Sequence, residues 1–304
     1  MPFASPVARF RVLRPGVIFA LLTAASFGGL TTLANLYYQD GGNVLTMLLF
    51  RFGFATLGLL VLARRHLRPP ARRFAGVLAV GVAWSLGVTC YLGSVHYIEV
   101  GVAALILYTF PVIVMILSLI ARELRSTAAL WAVFLAAFGG LGVMLLPFMG
   151  QFNRTGLLLA FGSALLFTAT FFLGARVSSG VPARTMAFWV TVVGLGLTAP
   201  LVYVSDTLAL PHSDLGWLWL GAATLLYLGG ILSQFSALTR ARAAEVSMVM
   251  NREPIVSVGL GAWVLGERLS PLQWLGAMAV LGAMGVAQRV MQKSTVEGVA
   301  DRTG

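Results

Sequence analysis

EVSMVMNREPIVSVGLGAWVLGERLS, residues 245–270, has polar ends and an apolar body. Its length suits a helix crossing a bilayer's hydrocarbon core, which takes ~20 residues. Near its middle stand Asn251, Arg252, Glu253 and Pro254. Charged side chains at that depth are costly and rarely face lipid, so they mark a bundle interior or a watery cavity. Pro254 has no N–H and its ring clashes with the carbonyl of Met250, so a kink that frees one acceptor is expected there. Residues 99–126, EVGVAALILYTFPVIVMILSLIARELRS, repeat the plan with a central Pro111 and a closing Arg-Glu-Leu. Two kinked spans half a chain apart predict an internal duplication.

Composition places the whole chain in the same class. Of its 304 residues, 59% are hydrophobic and only 10% charged, and mean hydropathy is +0.90. A soluble domain carries about 25% charged residues. The expected fold class is therefore all-α integral membrane, with helix packed on helix in lipid. The single cysteine, Cys90, excludes an internal disulfide and a thiolate metal site. The three histidines lack ligand spacing, and neither metal nor cofactor is expected. A net charge of +11 could serve nucleic acid, but cations that flank membrane spans on one side explain it better, so no nucleic-acid partner is expected.

Ten spans follow from the apolar runs, at about 16–36, 43–63, 74–95, 98–120, 127–147, 155–175, 184–204, 214–236, 245–265 and 271–291. A basic arm, residues 1–15, precedes them, and a polar tail, 292–304, closes the chain. The first run is too long for a signal-peptide core and reads as an uncleaved span. With ten spans both termini share one side, and nearly all loop cations fall there; Arg154 and Arg268 alone fall opposite, while Arg51 and Arg252 lie within spans. The positive-inside rule then puts both termini in the cytoplasm of a multi-pass protein of the inner membrane. Pro111 and Pro254 are 143 residues apart, as are Trp131 and Trp274. Each half, 16–147 and 155–291, holds five spans, an odd number. The two halves are thus expected to run in opposite senses, an inverted repeat of the kind secondary transporters use.

The stretches LYTFPVIVMILSLIARELRS and MNREPIVSVGLGAWVLGERLSPLQWLGAMAVLGAMGV resemble the repeat signature of EamA-type members of the drug/metabolite transporter superfamily. The resemblance covers about residues 16–291. It implies ten helices around a central cavity, with the two proline-bearing spans in its wall. The two repeats differ slightly: Pro111 to Glu123 is one residue shorter than Pro254 to Glu267.

The residues able to carry chemistry lie near mid-depth. Arg252 and Glu253 flank the Pro254 kink, and Arg51 sits near the middle of the second span. Neighbours on a helix point ~100° apart, so Arg252 and Glu253 need different partners, and an Arg51–Glu253 ion pair is one arrangement open to them. Tyr108 and Asn251 are further candidates for substrate binding or coupling, with Pro111 and Pro254 as helix breakers. Among the remaining polar residues, Tyr37 reads as an interface anchor, and the glycines of the fifth and tenth spans, including Gly139, Gly140, Gly142, Gly276, Gly282 and Gly285, read as close-packing surfaces. The function expected is a secondary transporter, an exporter of a small metabolite such as an amino acid, acting as a monomer or homodimer with lipid as its only other partner. The alternative is an integral membrane enzyme acting on a lipid or prenyl substrate. Such enzymes cluster Asp or His around a metal or a nucleophile, and here no span holds an Asp in its body or sets a His beside an acid.

Overall fold

The computed structural model describes residues 15–62, 67–98, 100–123, 127–145, 153–264 and scattered positions between 271 and 286. The basic arm, the Glu267 close, most of the tenth expected span and the tail lie outside the described residues. Every described element is helical: α1 (Pro15–Gln39), α2 (Val44–Leu62), α3 (Ala71–Val95), α4 (Val100–Leu107), α5 (Phe110–Ile120), α6 (Ala128–Leu145), α7 (Arg154–Ser178), α8 (Ala183–Ser205), α9 (Asp214–Leu238), α10 (Ala243–Met250) and α11 (Glu253–Val264). Six of them, α1, α2, α3, α7, α8 and α9, are long and apolar enough to cross a membrane. A helix of 25 residues, such as α1 or α9, spans about 37 Å against a hydrocarbon core of ~30 Å. Large apolar side chains such as Leu158, Leu225 and Trp263 stand outward, as lipid-facing surface does.

Local chemistry sets the ends. Asn153 accepts hydrogen bonds from the N–H groups of Thr155 and Gly156 and starts α7. Ser213 accepts from Gly216 N–H and starts α9. Asp206 ends α8 in a left-handed conformation (φ 47°). Within the helices, hydroxyls that would otherwise be unpaired in an apolar bundle turn back to the carbonyl four residues earlier, as in Thr23 to Phe19, Thr89 to Ser85 and Thr224 to Leu220.

Both proline-bearing stretches are interrupted by a turn just before the proline, where the kink is expected. The first divides into α4 and α5 around Tyr108 and Thr109, the second into α10 and α11 around Asn251 and Arg252. Pro111 and Pro254 each occupy the second position of the following helix. There a missing N–H costs little, whereas the carbonyls of Leu107 and Met250, four residues earlier, could not have been bonded across the proline.

The helices pair in a two-fold pattern. α1 packs along α9 and α3 along α7; α2 packs on both α8 and α9, and α3 also on α8. Each long pair is clasped at one end. Beyond α1, Asp40 accepts from the N–H groups of His212 and Ser213, at 3.0 Å each, and from the Ser213 hydroxyl at 2.8 Å. At the opposite end of the bundle, Arg73 at the start of α3 donates to the carbonyls of Arg176 and Val177 at the end of α7. An acid at one helix's N-terminus and a cation at another's C-terminus both oppose the helix dipole. Tyr37 is fully buried and donates to the Ala209 carbonyl at 2.8 Å, so it joins α1 to the α8–α9 loop and does not anchor at a lipid interface.

The glycine expectation needs correcting in part: Gly140 and Gly276 are buried, whereas three others have no close neighbour. A Cβ on Gly139, Gly142 or Gly282 would meet nothing. α6 packs against α4. Close approach occurs instead at Gly28 and Gly230. A Cβ on Gly28 would lie 2.7 Å from the Val256 Cβ and 2.9 Å from the Glu253 carbonyl oxygen, and one on Gly230 would lie 2.5 Å from the Phe27 ring. Gly28 therefore sets how near α1 comes to the first turn of α11.

Candidate functional site: a central cavity with two charged poles

Seven rings contact one another in series across the middle of the bundle. Phe52 stands at 5.6 Å from Tyr227, Tyr227 at 6.2 Å from Phe27, and Phe27 at 5.8 Å from Trp84. Trp84 stands at 5.0 Å from Phe167, and Phe110 contacts both Phe167 (6.1 Å) and Phe171 (5.0 Å). On one side of this arc Val17, Ala20, Val77, Val80 and Phe235 fill a solid core. On the other side lies a cavity of about 490 Å³. Its walls are the later half of α1 (Phe27 to Tyr38), the early half of α2 (Val44 to Arg51) and the later half of α3 (Trp84 to Val95). Leu107, Tyr108 and Phe110 at the first break, Met250 and Glu253 at the second, and Phe167, Phe171 and Tyr227 complete it. A smaller, mostly apolar pocket of about 270 Å³ between α2, α3 and α8 shares Val44, Leu48 and Leu92 with it.

Arg51 forms one pole. It is 9% exposed, and its guanidinium lies 4.8 Å from the centre of the Tyr227 ring and 5.0 Å from that of Phe52. Cation–π contact of this kind steadies a guanidinium without neutralising it. Its Nε has no hydrogen-bond partner within the protein. Glu253 forms the other pole, at the first turn of α11, with Tyr108 and Tyr91 as its polar neighbours. Its carboxylate stands at a helix N-terminus, where negative charge is favoured.

Three of the five residues expected to bind or couple, Arg51, Tyr108 and Glu253, thus share one cavity. Arg51 and Glu253 form no ion pair among the described contacts, which sets aside that arrangement: each keeps its own aromatic neighbours. Arg252 and Asn251 fall outside the cavity wall. Asn251 is buried at the end of α10 with an unpartnered Oδ1, and an Arg252 guanidinium nitrogen, Nη1, is likewise buried and unpartnered. Arg252 stands in the turn before α11 and Glu253 at that helix's first position. Trp84, Phe167, Phe171 and Tyr227 were not singled out from sequence, since aromatic residues in apolar spans carry no signal of a shared wall. Among the described residues no group of His, Cys, Asp and Glu is placed to hold a metal ion.

An all-helical bundle with several helices long and apolar enough to cross a membrane, enclosing a cavity that carries charge, has the build of a membrane transporter. The EamA-like transporter family matches residues 14–147 and again residues 154–287, and the chain belongs to that family. An uncharacterized transporter of Archaeoglobus fulgidus is 26% identical over 284 residues, covering 92% of this chain and 98% of that protein. The threonine/homoserine exporter RhtA of Escherichia coli K12 is 27% identical over 295 residues, covering 93% and 94%. A crystal structure at 20% identity superposes with a TM-score of 0.72 over 90% of this chain and 98% of its own, a likeness of fold. The protein is a multi-pass membrane transporter.

Proposed function

We propose that the chain is a secondary transporter that exports a small amino acid or a closely related zwitterion across the inner membrane. The observation that carries this reading is the pair of opposite charges on one cavity wall, Arg51 and Glu253, neither neutralised by the other. Arg51 presents a planar fork suited to a carboxylate. Glu253 presents an acceptor suited to an ammonium group or a transported proton. The aromatic arc and the leucines between them suit the substrate's apolar part. A relative named as a threonine/homoserine exporter supports the class and the direction.

In this reading ten spans form two inverted five-helix repeats, 16–147 and 155–291, with the broken helices α4–α5 and α10–α11 as equivalent fourth spans. Residues 1–15 and 292–304 lie in the cytoplasm, where the basic loops gather. The cavity then lies in the outer half of the membrane, on the release side. One chain supplies the whole cavity, so the unit is a monomer or a homodimer that needs only lipid and substrate, and no nucleic acid.

The test is counterflow in proteoliposomes. Vesicles loaded with unlabelled amino acid should accumulate labelled threonine, homoserine, leucine or phenylalanine, and Arg51→Gln should abolish the uptake. No uptake of any amino acid from a broad panel, with chemical conversion of an added lipid or prenyl substrate, would overturn the reading.

A further inference from the structure

α3 and α8 run side by side toward the cavity's end of the bundle, and they part on the way. Near their starts Phe74 and Trp189 touch, with ring centroids 4.9 Å apart. At Gly81 the two helices are still tight: a Cβ there would lie 3.0 Å from the Val193 Cβ. Two turns further on, the smaller pocket of about 270 Å³ forms a cleft between Thr89, Leu92 and Gly93 of α3 and Leu197, Thr198 and Leu201 of α8. Val44, Leu45 and Leu48 of α2 close it from behind. Pro200, inside α8, removes the hydrogen bond to the Gly196 carbonyl at this level and favours a bend there.

The cleft differs from the central cavity in chemistry and in what lies at its mouth. It holds no charged side chain, and the Thr89 hydroxyl is turned back on its own helix, donating to the Ser85 carbonyl at 2.9 Å. A polar solute would give up its hydrogen bonds to water there without replacing them. The mouth is continuous with the lipid-facing surface: Leu197 and Leu201 are 43% and 44% exposed, and Leu86, a turn before Thr89, is 41% exposed. Depth agrees with this. Thr89 lies six residues before the end of α3 and Leu197 eight before the end of α8. Those distances are ~9 and ~12 Å, within the ~15 Å that the chains of one leaflet occupy. Beyond them stand Tyr97 and Tyr203, both exposed, where an aromatic belt meets the headgroups.

We propose that the α3–α8 cleft is a binding site for one phospholipid acyl chain, drawn from the leaflet on the cavity's side. The chain enters past Leu197 and Leu201 and ends against Leu48 and Leu92. The medium outside is hydrocarbon, so an apolar recess with its mouth there gains dispersion contacts by taking up a chain and forfeits them if left empty. The position matters for the neighbouring cavity. Val44, Leu48 and Leu92 line both spaces, so a chain in the cleft backs three side chains of the cavity's wall. Nothing in this depends on which solute the cavity takes, and the lipid site stands apart from the amino-acid reading.

Photo-cross-linking tests it. The whole protein is placed in lipid nanodiscs containing a phosphatidylethanolamine with a diazirine midway along one acyl chain, and the adducts are mapped by mass spectrometry. Leu158 and Phe161 near the start of α7, 75% and 51% exposed, report ordinary contact with lipid in the same leaflet. A chain that resides in the cleft should label Thr89, Leu92, Leu197 and Leu201 about tenfold more than those two, because a bound chain stays where a bulk lipid exchanges. Equal labelling of all six would overturn the site. Leu197→Trp fills the cleft at its mouth and Thr198→Phe from within. Either variant, if it keeps the wild-type melting temperature, should bring labelling of Thr89 and Leu92 down to that of Leu158; undiminished labelling in such a variant would also overturn it. Loss of the adducts on adding leucine or phenylalanine would give the cleft to the transported molecule and not to lipid. Absent counterflow with the adducts in place would count against the amino-acid reading alone.

Discussion

Phe110 and Glu253 occupy equivalent positions, 143 residues apart, each directly before its repeat's proline and each on the wall of one cavity. One repeat supplies a ring and the other a carboxylate. The halves share a backbone plan and differ in the side chain at this point, so a pseudo-symmetric scaffold holds a polar site with a direction.

The two poles should respond differently to substitution. Arg51→Lys keeps a charge but loses the planar fork and the stacking on Tyr227, and transport should fall about tenfold or more. Arg51→Met removes a buried charge that has no carboxylate partner, so the melting temperature should hold or rise while transport is lost. Glu253→Gln should keep the fold and abolish or uncouple transport. Paired thermal melts and counterflow on each variant decide the matter; unaltered counterflow by Glu253→Gln at every pH, with only a lowered melting temperature, would make Glu253 a packing group.

Gly28 should tolerate no larger residue. In Gly28→Val the added atoms meet Val256 and the Glu253 carbonyl, and over-packing of this kind costs about 1–3 kcal/mol. The effect expected is a lower melting temperature together with weaker substrate binding, because the first turn of α11 carries Glu253. Loss of stability with unchanged substrate affinity would show that α1 does not position that turn.

Asp40 should confer a dependence on acid pH. Its carboxyl is held below the ordinary value of 3.8, chiefly by the Ser213 N–H, with the Ser213 hydroxyl and the His212 N–H adding to it. A carboxylate depressed in the folded state stabilises fully above its unfolded value, and that contribution is lost as pH falls through the folded one. The wild type should therefore lose stability relative to Asp40→Asn as pH drops below about 4. Parallel melting curves for the two proteins across that range would mean that the clasp does not depend on charge.

The sequence made the class and the repeat legible, because apolar length, loop charge and two prolines at a fixed spacing are one-dimensional signals. Arg51 and Glu253 were legible for a related reason: charge inside an apolar span has few physical explanations. What could not be read was which face each residue takes. Helix spacing set Arg252 and Glu253 on different faces, but not which of the two meets the cavity. Tyr37 looked like an interface residue because its partner, the Ala209 carbonyl, is 172 positions away. Gly139 and Gly142 looked like packing surfaces, yet nothing stands opposite them, because spacing along a helix does not say which face meets a neighbour. How the chain relaxes around each proline was also out of reach, since proline reports the lost hydrogen bond and not the turn that precedes it.

Orientation has its own test. A reporter active only in the cytoplasm should work when fused after Lys293 and fail when fused after Phe152. The reverse pattern would sink both the ten-span arrangement and the placement of the cavity in the outer half.

The most direct measurement is a binding comparison on the purified transporter, using one amino acid and its two blocked forms. The methyl ester lacks the carboxylate that Arg51 should hold, and the N-acetyl form lacks the ammonium that Glu253 should hold. Titration calorimetry should show binding of the free amino acid and at least about tenfold weaker binding of each blocked form, a loss of roughly 1.4 kcal/mol or more. Equal binding of all three would contradict a site built on two opposite charges.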